Sequence, residues 1–305
     1  MSFKGLFSTL PIAVAGRKND EILKNLLCDD APILYEGLMS CGTFADKRLS
    51  ARRKYFRECN VEHDYYRGLA KATNSWKKFY YLLEAHRLQR FEKTLKHATA
   101  ILSLAHQDER HFKDKFPQIP TIYLPCFHSN SSISSVHGIG EGILYHGNLE
   151  VPENILALNY ILKNIVPQMP DIPFIIAGRC NSIKLQKIVA PYPNVILVAN
   201  PNEAKMLQLI HDAQINLLIT FQGTGLKLKL LNVLYAGKHV ICNNQMVSGT
   251  ELADLCYIEN VAETIIQRCR SLINKPLTDS GIAHRKEILS TFDIEHLANI
   301  LCDIL

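Results

Sequence analysis

The sequence predicts an α/β protein made of two Rossmann-type, doubly wound parallel-sheet domains, the first of them incomplete. Three observations predict this. From residue 142 to 290, short apolar runs of strand composition alternate with segments whose apolar residues recur at helical spacing. A shorter alternation of the same kind occupies residues 1–127. Between them, 128–141 lies in a Ser/Gly-rich stretch with little periodicity (PCFHSNSSISSVHGIGE), which reads as a linker. Strand–helix–strand alternation implies parallel strands covered by helices.

In the first domain, Ile33–Gly37 reads as a buried strand after a Pro-containing turn, and Tyr55–Cys59 as a second strand. Trp76–His97 has the pattern of a long amphipathic helix. Its stripe of Trp76, Phe79, Tyr80, Leu83, Leu88, Phe91 and Leu95 is expected to be core. Ala100–Leu104 and Thr121–Leu124 are two further strands around a helix at 106–115. In the second domain, strands are expected at 143–146, 173–177, 194–198, 215–220, 239–242 and 255–258. Helices fall between them, at 152–168, 182–190, 203–213, 225–236 and 261–273. A last helix within 291–305 is expected to return to the first domain.

The 47% hydrophobic content of 305 residues suffices for two cores. Charge is uneven: residues 1–140 carry 21 Lys and Arg against 14 Asp and Glu, and residues 141–305 carry 13 against 15. The basic excess gathers in KRLSARRKYFR (47–57) and in Lys71–Lys96, which suits an acidic partner such as an anionic membrane or a lipid diphosphate. Solvated basic helix faces are the competing explanation. No nucleic-acid-binding motif accompanies the charge, so no nucleic-acid partner is expected. Nine scattered cysteines without Cys-x-x-Cys spacing imply a reducing, cytoplasmic setting with neither disulfide framework nor zinc site. No signal-peptide pattern and no apolar run long enough for a membrane span is seen.

The most informative segment is TFQGTGLKLKLLNVLYAGKHVICN, Thr220–Asn243. It reads as strand, Gly-rich turn, helix, Gly stop and strand. Thr224 and Gly225 open the helix, Leu226, Leu230, Val233 and Leu234 hold helical spacing, and Gly237 suits the stop. Free backbone N–H groups and a partial positive charge mark such a helix start. Lys227 and Lys229 in its first turns are unfavourable there unless an anion binds, so the segment fits a phosphate or diphosphate. An ordinary turn with solvated lysines is the alternative. The segment is neither a P-loop nor a clean Gly-x-Gly-x-x-Gly fingerprint.

Three landmarks in the second domain resemble GT-B glycosyltransferases, most closely glycosyltransferase family 4 of bacterial envelope polysaccharide synthesis. They are ILYHGNLEVPENILALNYIL (143–162), IPFIIAGR (172–179) and TGLKLKLLNVLYAGKHVICN (224–243), in the family's order and spacing. The resemblance covers 141–260 well and 31–127 less sharply. The strand, Gly-rich loop and helix that open a GT-B first domain have no counterpart before Ile33.

The resemblance implies transfer of a hexosyl unit from a nucleotide diphosphate sugar to a glycan or lipid-linked acceptor. It also implies retention of configuration, no metal or other cofactor, and action in the cytoplasm or at the inner membrane face. The donor residues it implies are Gly147, Asn148, Arg179, Thr224, Gly225, Lys227, Lys229 and Asn232. Lys229 matches the family's phosphate-contacting Lys. The family's Glu-x7-Glu pair is replaced by Thr224 and Asn232, and the usual loop Arg by Asn148. On the acceptor side, His63 and its neighbour Glu62 follow the strand Tyr55–Cys59, where the family places a sugar-contacting His. The departures leave a second reading open: a non-catalytic nucleotide- or partner-binding relative.

Overall fold

The computed structural model describes residues 10–181, 183–221 and 228–305. They form two compact units, 10–126 with 295–305, and 127–294.

The first unit contains α1 (Ile12–Ala15), α2 (Asp20–Leu26), β1 (Ile33–Glu36), β2 (Lys54–Arg57), α3 (Glu62–Lys71), α4 (Lys77–Phe91), β3 (Ala100–Ser103), α5 (His106–Lys115) and β4 (Thr121–Tyr123). Its four strands are parallel and lie in the order β1-β2-β3-β4. Among the described residues this order never reverses, so the sheet has the arrangement of one half of a doubly wound domain. Its core joins Ile33 and Tyr35 of β1 to Phe56 of β2, Ile101 of β3 and Phe112 of α5.

Two expectations for this unit are corrected. The apolar stripe of α4 is not uniformly core. Leu88 and, beyond the helix, Leu95 are buried, yet Trp76 and Phe79 are each 76% exposed and Leu83 is also exposed. The reason is positional. Only the second half of the helix is enclosed, so its first two turns are exposed whatever their periodicity predicts. The basic run 47–57 is only partly exposed: Lys47, Arg48 and Arg53 face outward, while its other cations are engaged within the unit. Lys54 is buried and donates to the Phe44 carbonyl at 2.9 Å. Arg57 pairs with Glu36 at 2.8 Å, and Arg52 binds the carbonyls of Leu26, Asp29 and Ala31. These cations satisfy carbonyls and a carboxylate of their own unit.

The second unit contains β5 (Ile143–His146), α6 (Pro152–Asn164), β6 (Phe174–Gly178), α7 (Ile183–Val189), β7 (Val195–Ala199), α8 (Glu203–Asp212), β8 (Ile215–Leu218), α9 (Leu228–Ala236), β9 (His239–Cys242), α10 (Asn244–Val247), β10 (Tyr257–Ile258), α11 (Ala262–Leu272) and α12 (Asp279–Leu289). The final helix, α13 (Ile294–Ile304), groups almost entirely with the first unit. All strands of the second sheet are parallel, in the order β10-β9-β8-β5-β6-β7. Strands β5, β8 and β9 are buried throughout, as continuous apolar runs between two helix layers should be.

The order reverses between β8 and β5, which pair through Ile143 with Ile215 and Leu144 with Asn216. Chains leaving the carboxyl ends of these neighbours diverge, which opens a crevice there. The Ser-rich segment before β5 is tied to this unit and is not a free linker. Ser134 and Ser135 donate backbone N–H groups to the Tyr235 carbonyl at 2.9 and 3.1 Å, and Gly140 N–H reaches Gln214 Oε1 at 2.6 Å.

Candidate functional site

The crevice between β5 and β8 is lined by the loop after β5 and by helix α9. A backbone contact fixes that loop. Gly178, which ends β6, has φ +149°, and a Cβ there would lie 1.8 Å from the Gly147 carbonyl oxygen. Only glycine permits this approach. The loop is further held by Gly147 N–H to the Ala177 carbonyl at 3.1 Å and Leu149 N–H to the Arg179 carbonyl at 2.9 Å.

Lys229, in the first turn of α9, extends toward this loop. Its Nζ donates to Asn154 Oδ1 of α6 at 3.4 Å and lies 5.8 Å from the centre of the Tyr145 ring of β5. Asn154 Nδ2 donates in turn to the Asn148 carbonyl at 3.0 Å. His146, the last residue of β5, is buried. Burial first, and the Lys229 charge second, lower its pKa to about 3, so it is neutral at physiological pH. The Lys229 ammonium thus brings a positive charge to the crevice.

Other predicted donor residues have different occupations. The Asn148 side chain accepts from Glu150 N–H at 3.1 Å, which makes it a turn-former. Arg179 pairs with Glu150 at 3.0 Å across the same loop cluster. Asn232 lies three residues after Lys229, hence on the same helix face. Its Oδ1 accepts from Asn130 Nδ2 at 3.0 Å. Asn130 and Asn232, with Ser132, Glu203 and Met206, line a cavity of about 400 Å³, within the range of small-molecule sites. Asn200 clasps Cys180, accepting from its N–H and donating to its carbonyl. Thr224, Gly225 and Lys227 lie outside the described residues.

Another cavity, of about 350 Å³, is lined by His239, Tyr257, Lys275 and Arg285. It sits at the amino ends of β9 and β10, whereas doubly wound sheets bind ligands at carboxyl ends.

In the first unit, Glu62 and His63 open α3 just beyond β2. Glu62 is buried, and burial, opposed by the Arg17 charge, raises its pKa to about 7. That value suits proton transfer near neutral pH. His63 is 3% exposed and directed inward. Its Nδ1 lies 3.3 Å from Glu92 Oε2, and His111 Nε2 lies 2.7 Å from Glu92 Oε1. Burial opposes ionisation of Glu92, but the His111, His63 and Lys115 side chains around it more than offset this and hold the carboxyl well below its ordinary range.

A feature the sequence reading missed lies beside Glu62. Glu58, fully buried just after β2, faces buried Asp108 of α5. Burial and the Asp108 charge raise the Glu58 carboxyl well above its ordinary pKa, while Leu104 N–H donates to it at 2.8 Å. The available signal was a Glu next to a fully buried strand.

No protein-family model matches the chain, and no curated protein matches it. Solved structures do. The chain superposes on TarM with a TM-score of 0.68 at 13% identity, covering 96% of this chain and 57% of that one. For the UDP-forming trehalose-phosphate synthase of Burkholderia vietnamiensis the TM-score is 0.69 at 9% identity, over 100% of this chain and 80% of that one. For the pneumococcal O-GlcNAc transferase GtfA, solved with UDP and GlcNAc, it is 0.62 at 15% identity, over 93% and 58%. The chain has the GT-B fold. At these identities the likeness concerns the fold alone, and the chain spans little more than half the length of TarM. In GT-B terms, the crevice beside Gly147 and Lys229 belongs to the second of the two Rossmann-type units. No described helix is long and apolar enough to cross a membrane.

Proposed function

We propose that this chain is a glycosyltransferase that takes a hexosyl unit from a nucleotide diphosphate sugar and passes it to an envelope polysaccharide or lipid-linked glycan acceptor, with retention of configuration and no catalytic metal. The observation that carries this reading is the meeting of Lys229, Asn154 and the Gly147 loop where the sheet order reverses. The diphosphate would lie against the Lys229 ammonium. The nucleoside would occupy the cavity beside Asn130 and Asn232, one helical turn or about 5 Å along α9. The ammonium would neutralise charge that develops on the departing diphosphate, a form of electrostatic catalysis. Similar solved structures include a UDP-forming enzyme and complexes with UDP.

On the acceptor side, Glu62 is the better placed of the two predicted residues, because its pKa of about 7 suits proton transfer. His63, turned toward Glu92, is suited to positioning α3. The exposed Trp76 and Phe79, beside exposed Lys77 and Lys78, would bring an anionic membrane and its lipid-linked acceptor to the first unit.

A second reading, nucleotide binding without transfer, is favoured by Asn148 and Asn232. Both are engaged in internal hydrogen bonds at positions where charged clamps are expected. Measuring nucleoside diphosphate release from UDP- and GDP-hexoses, with and without lipid-linked acceptor, separates the two. Acceptor-stimulated release supports transfer. Donor binding without release under any acceptor supports the second reading.

A further inference from the structure

Three elements of the first unit bring metal-ligating side chains to one point. His63 comes from the first turn of α3, Glu92 from the turn that follows α4, and His111 from α5. One ligand atom from each lies within 4.8 Å of the others. Two of the separations are 3.3 Å, from His63 Nδ1 to Glu92 Oε2, and 2.7 Å, from His111 Nε2 to Glu92 Oε1. A zinc-class ion bound at about 2.0–2.1 Å to nitrogen and oxygen sets ligand atoms roughly 3.3 Å apart in a tetrahedron. Small side-chain rotations therefore convert this cluster into a coordination shell.

One observation indicates a ligand beyond the cluster itself. Among the described residues His63 Nδ1 has no hydrogen-bond partner although its side chain is only 4% exposed; Glu92 Oε2, 3.3 Å away, is near it but not aligned to accept. An orphaned buried nitrogen carries a desolvation cost that coordination would remove. Behind the same ring, Nε2 lies 3.7 Å from Asp64 Oδ1. That separation is beyond hydrogen-bond reach, and the same oxygen accepts from Arg67 at 2.8 Å, so Asp64 adds negative charge behind the ring without fixing its tautomer. The competing cation is the Lys115 ammonium, 2.5 Å from Glu92 Oε2. Its side chain is 26% exposed and on a long stem, so it can withdraw to water.

We propose that His63, Glu92 and His111 form a binding site for a divalent transition-metal ion of the zinc class, which takes the place of Lys115 beside Glu92. The site has three protein ligands and a fourth position for water. Its role is structural: it clamps α3, the end of α4 and α5 together on the first sheet. It is independent of the donor crevice, whose residues belong to the other unit.

The test uses the full chain, stripped with chelator and titrated with zinc chloride by calorimetry and with cobalt(II) by absorption. One zinc per chain, a rise in melting temperature that magnesium does not give, and a cobalt spectrum of tetrahedral N/O type are expected. His63→Ala and His111→Gln should each weaken zinc binding by about tenfold or more. Lys115→Gln should tighten it, a response that stray surface histidines would not show. His111 is half-buried, so its Gln variant should keep a native circular dichroism spectrum even if His63→Ala does not. Absence of stoichiometric zinc, equal affinity in His111→Gln, or weaker binding in Lys115→Gln would each overturn the site and leave an ion network centred on Glu92.

Discussion

Lys229 on α9 reaches Asn154 on α6, Nζ to Oδ1 at 3.4 Å, across the point where the second sheet reverses its strand order. The two residues are 75 positions apart and meet because β5 and β8 are neighbours in the sheet. Asn154 also holds the Asn148 carbonyl, so one carboxamide links the cation to the loop.

The loop depends on Gly178. At φ +149°, with Gly147 O 1.8 Å from any Cβ, Gly178→Ala must displace the β5–α6 loop. It should cost about 2–3 kcal/mol or more, the scale of strain at a special backbone conformation. Urea unfolding should show a lower midpoint with an unchanged slope. The same variant should weaken nucleotide binding even at temperatures where it is fully folded.

The far end of α9 is held by Arg285. Its guanidinium is buried and donates to the Gly237 and Lys238 carbonyls and to Ser135 Oγ, which also fastens the Ser-rich segment. Burial lowers its pKa to about 10, so it remains charged at neutral pH. Arg285→Ala should destabilise the second unit by about 3 kcal/mol, because several charge-assisted hydrogen bonds are lost and buried acceptors are left unpaired. Differential scanning calorimetry of the variant should show the loss.

Stability of the first unit should depend on pH through Glu58. Its carboxyl is raised above 4.5 in the folded state, so between 4.5 and the raised value the folded chain holds a proton that the unfolded chain has lost. Stability contributed by this group is fully present at lower pH and falls as pH rises through that window, by up to about 1.4 kcal/mol per pH unit. Glu58→Gln keeps an acceptor for Leu104 N–H and removes the titration. The difference in unfolding free energy between wild type and variant should shift toward the variant with rising pH. A flat difference would remove the buried proton from the account.

Trp76 is the only tryptophan of the chain and is 76% exposed, which makes it a direct reporter of membrane contact. Its emission should shift to the blue with phosphatidylglycerol vesicles and stay unchanged with neutral phosphatidylcholine. Phe79→Ser and high salt should both weaken the response. Equal response to both vesicle types would contradict electrostatic docking.

Much of the fold was legible because the chain writes parallel strands as short apolar runs, such as Ile143–His146 and Ile215–Leu218, between segments of helical period. Gly147 could be placed at a strand end because it directly follows Ile143–His146, and Lys229 on the helix after Ile215–Leu218 because Leu230, Val233 and Leu234 keep helical spacing. Exposure along α4 was not, since periodicity marks a face but not how far the neighbouring layer extends. The role of Lys54 and Arg57 was hidden for a related reason: a basic run reads the same whether its cations meet solvent or carbonyls. The Glu58–Asp108 pair and the His63–Glu92–His111 cluster join distant positions through the order of the first sheet and its covering helices, which no local spacing encodes.

A nucleoside diphosphate is expected at the β5–β8 crevice, held by Lys229. Calorimetric titration of UDP and GDP into wild type and Lys229→Ala tests it most directly. One of the two nucleotides should bind wild type at a single site, and the variant should bind it more weakly by about 1.5–3 kcal/mol, the loss of a charge-assisted hydrogen bond. Equal affinity in wild type and a folded Lys229→Ala, or no binding of either nucleotide to wild type, would contradict the account.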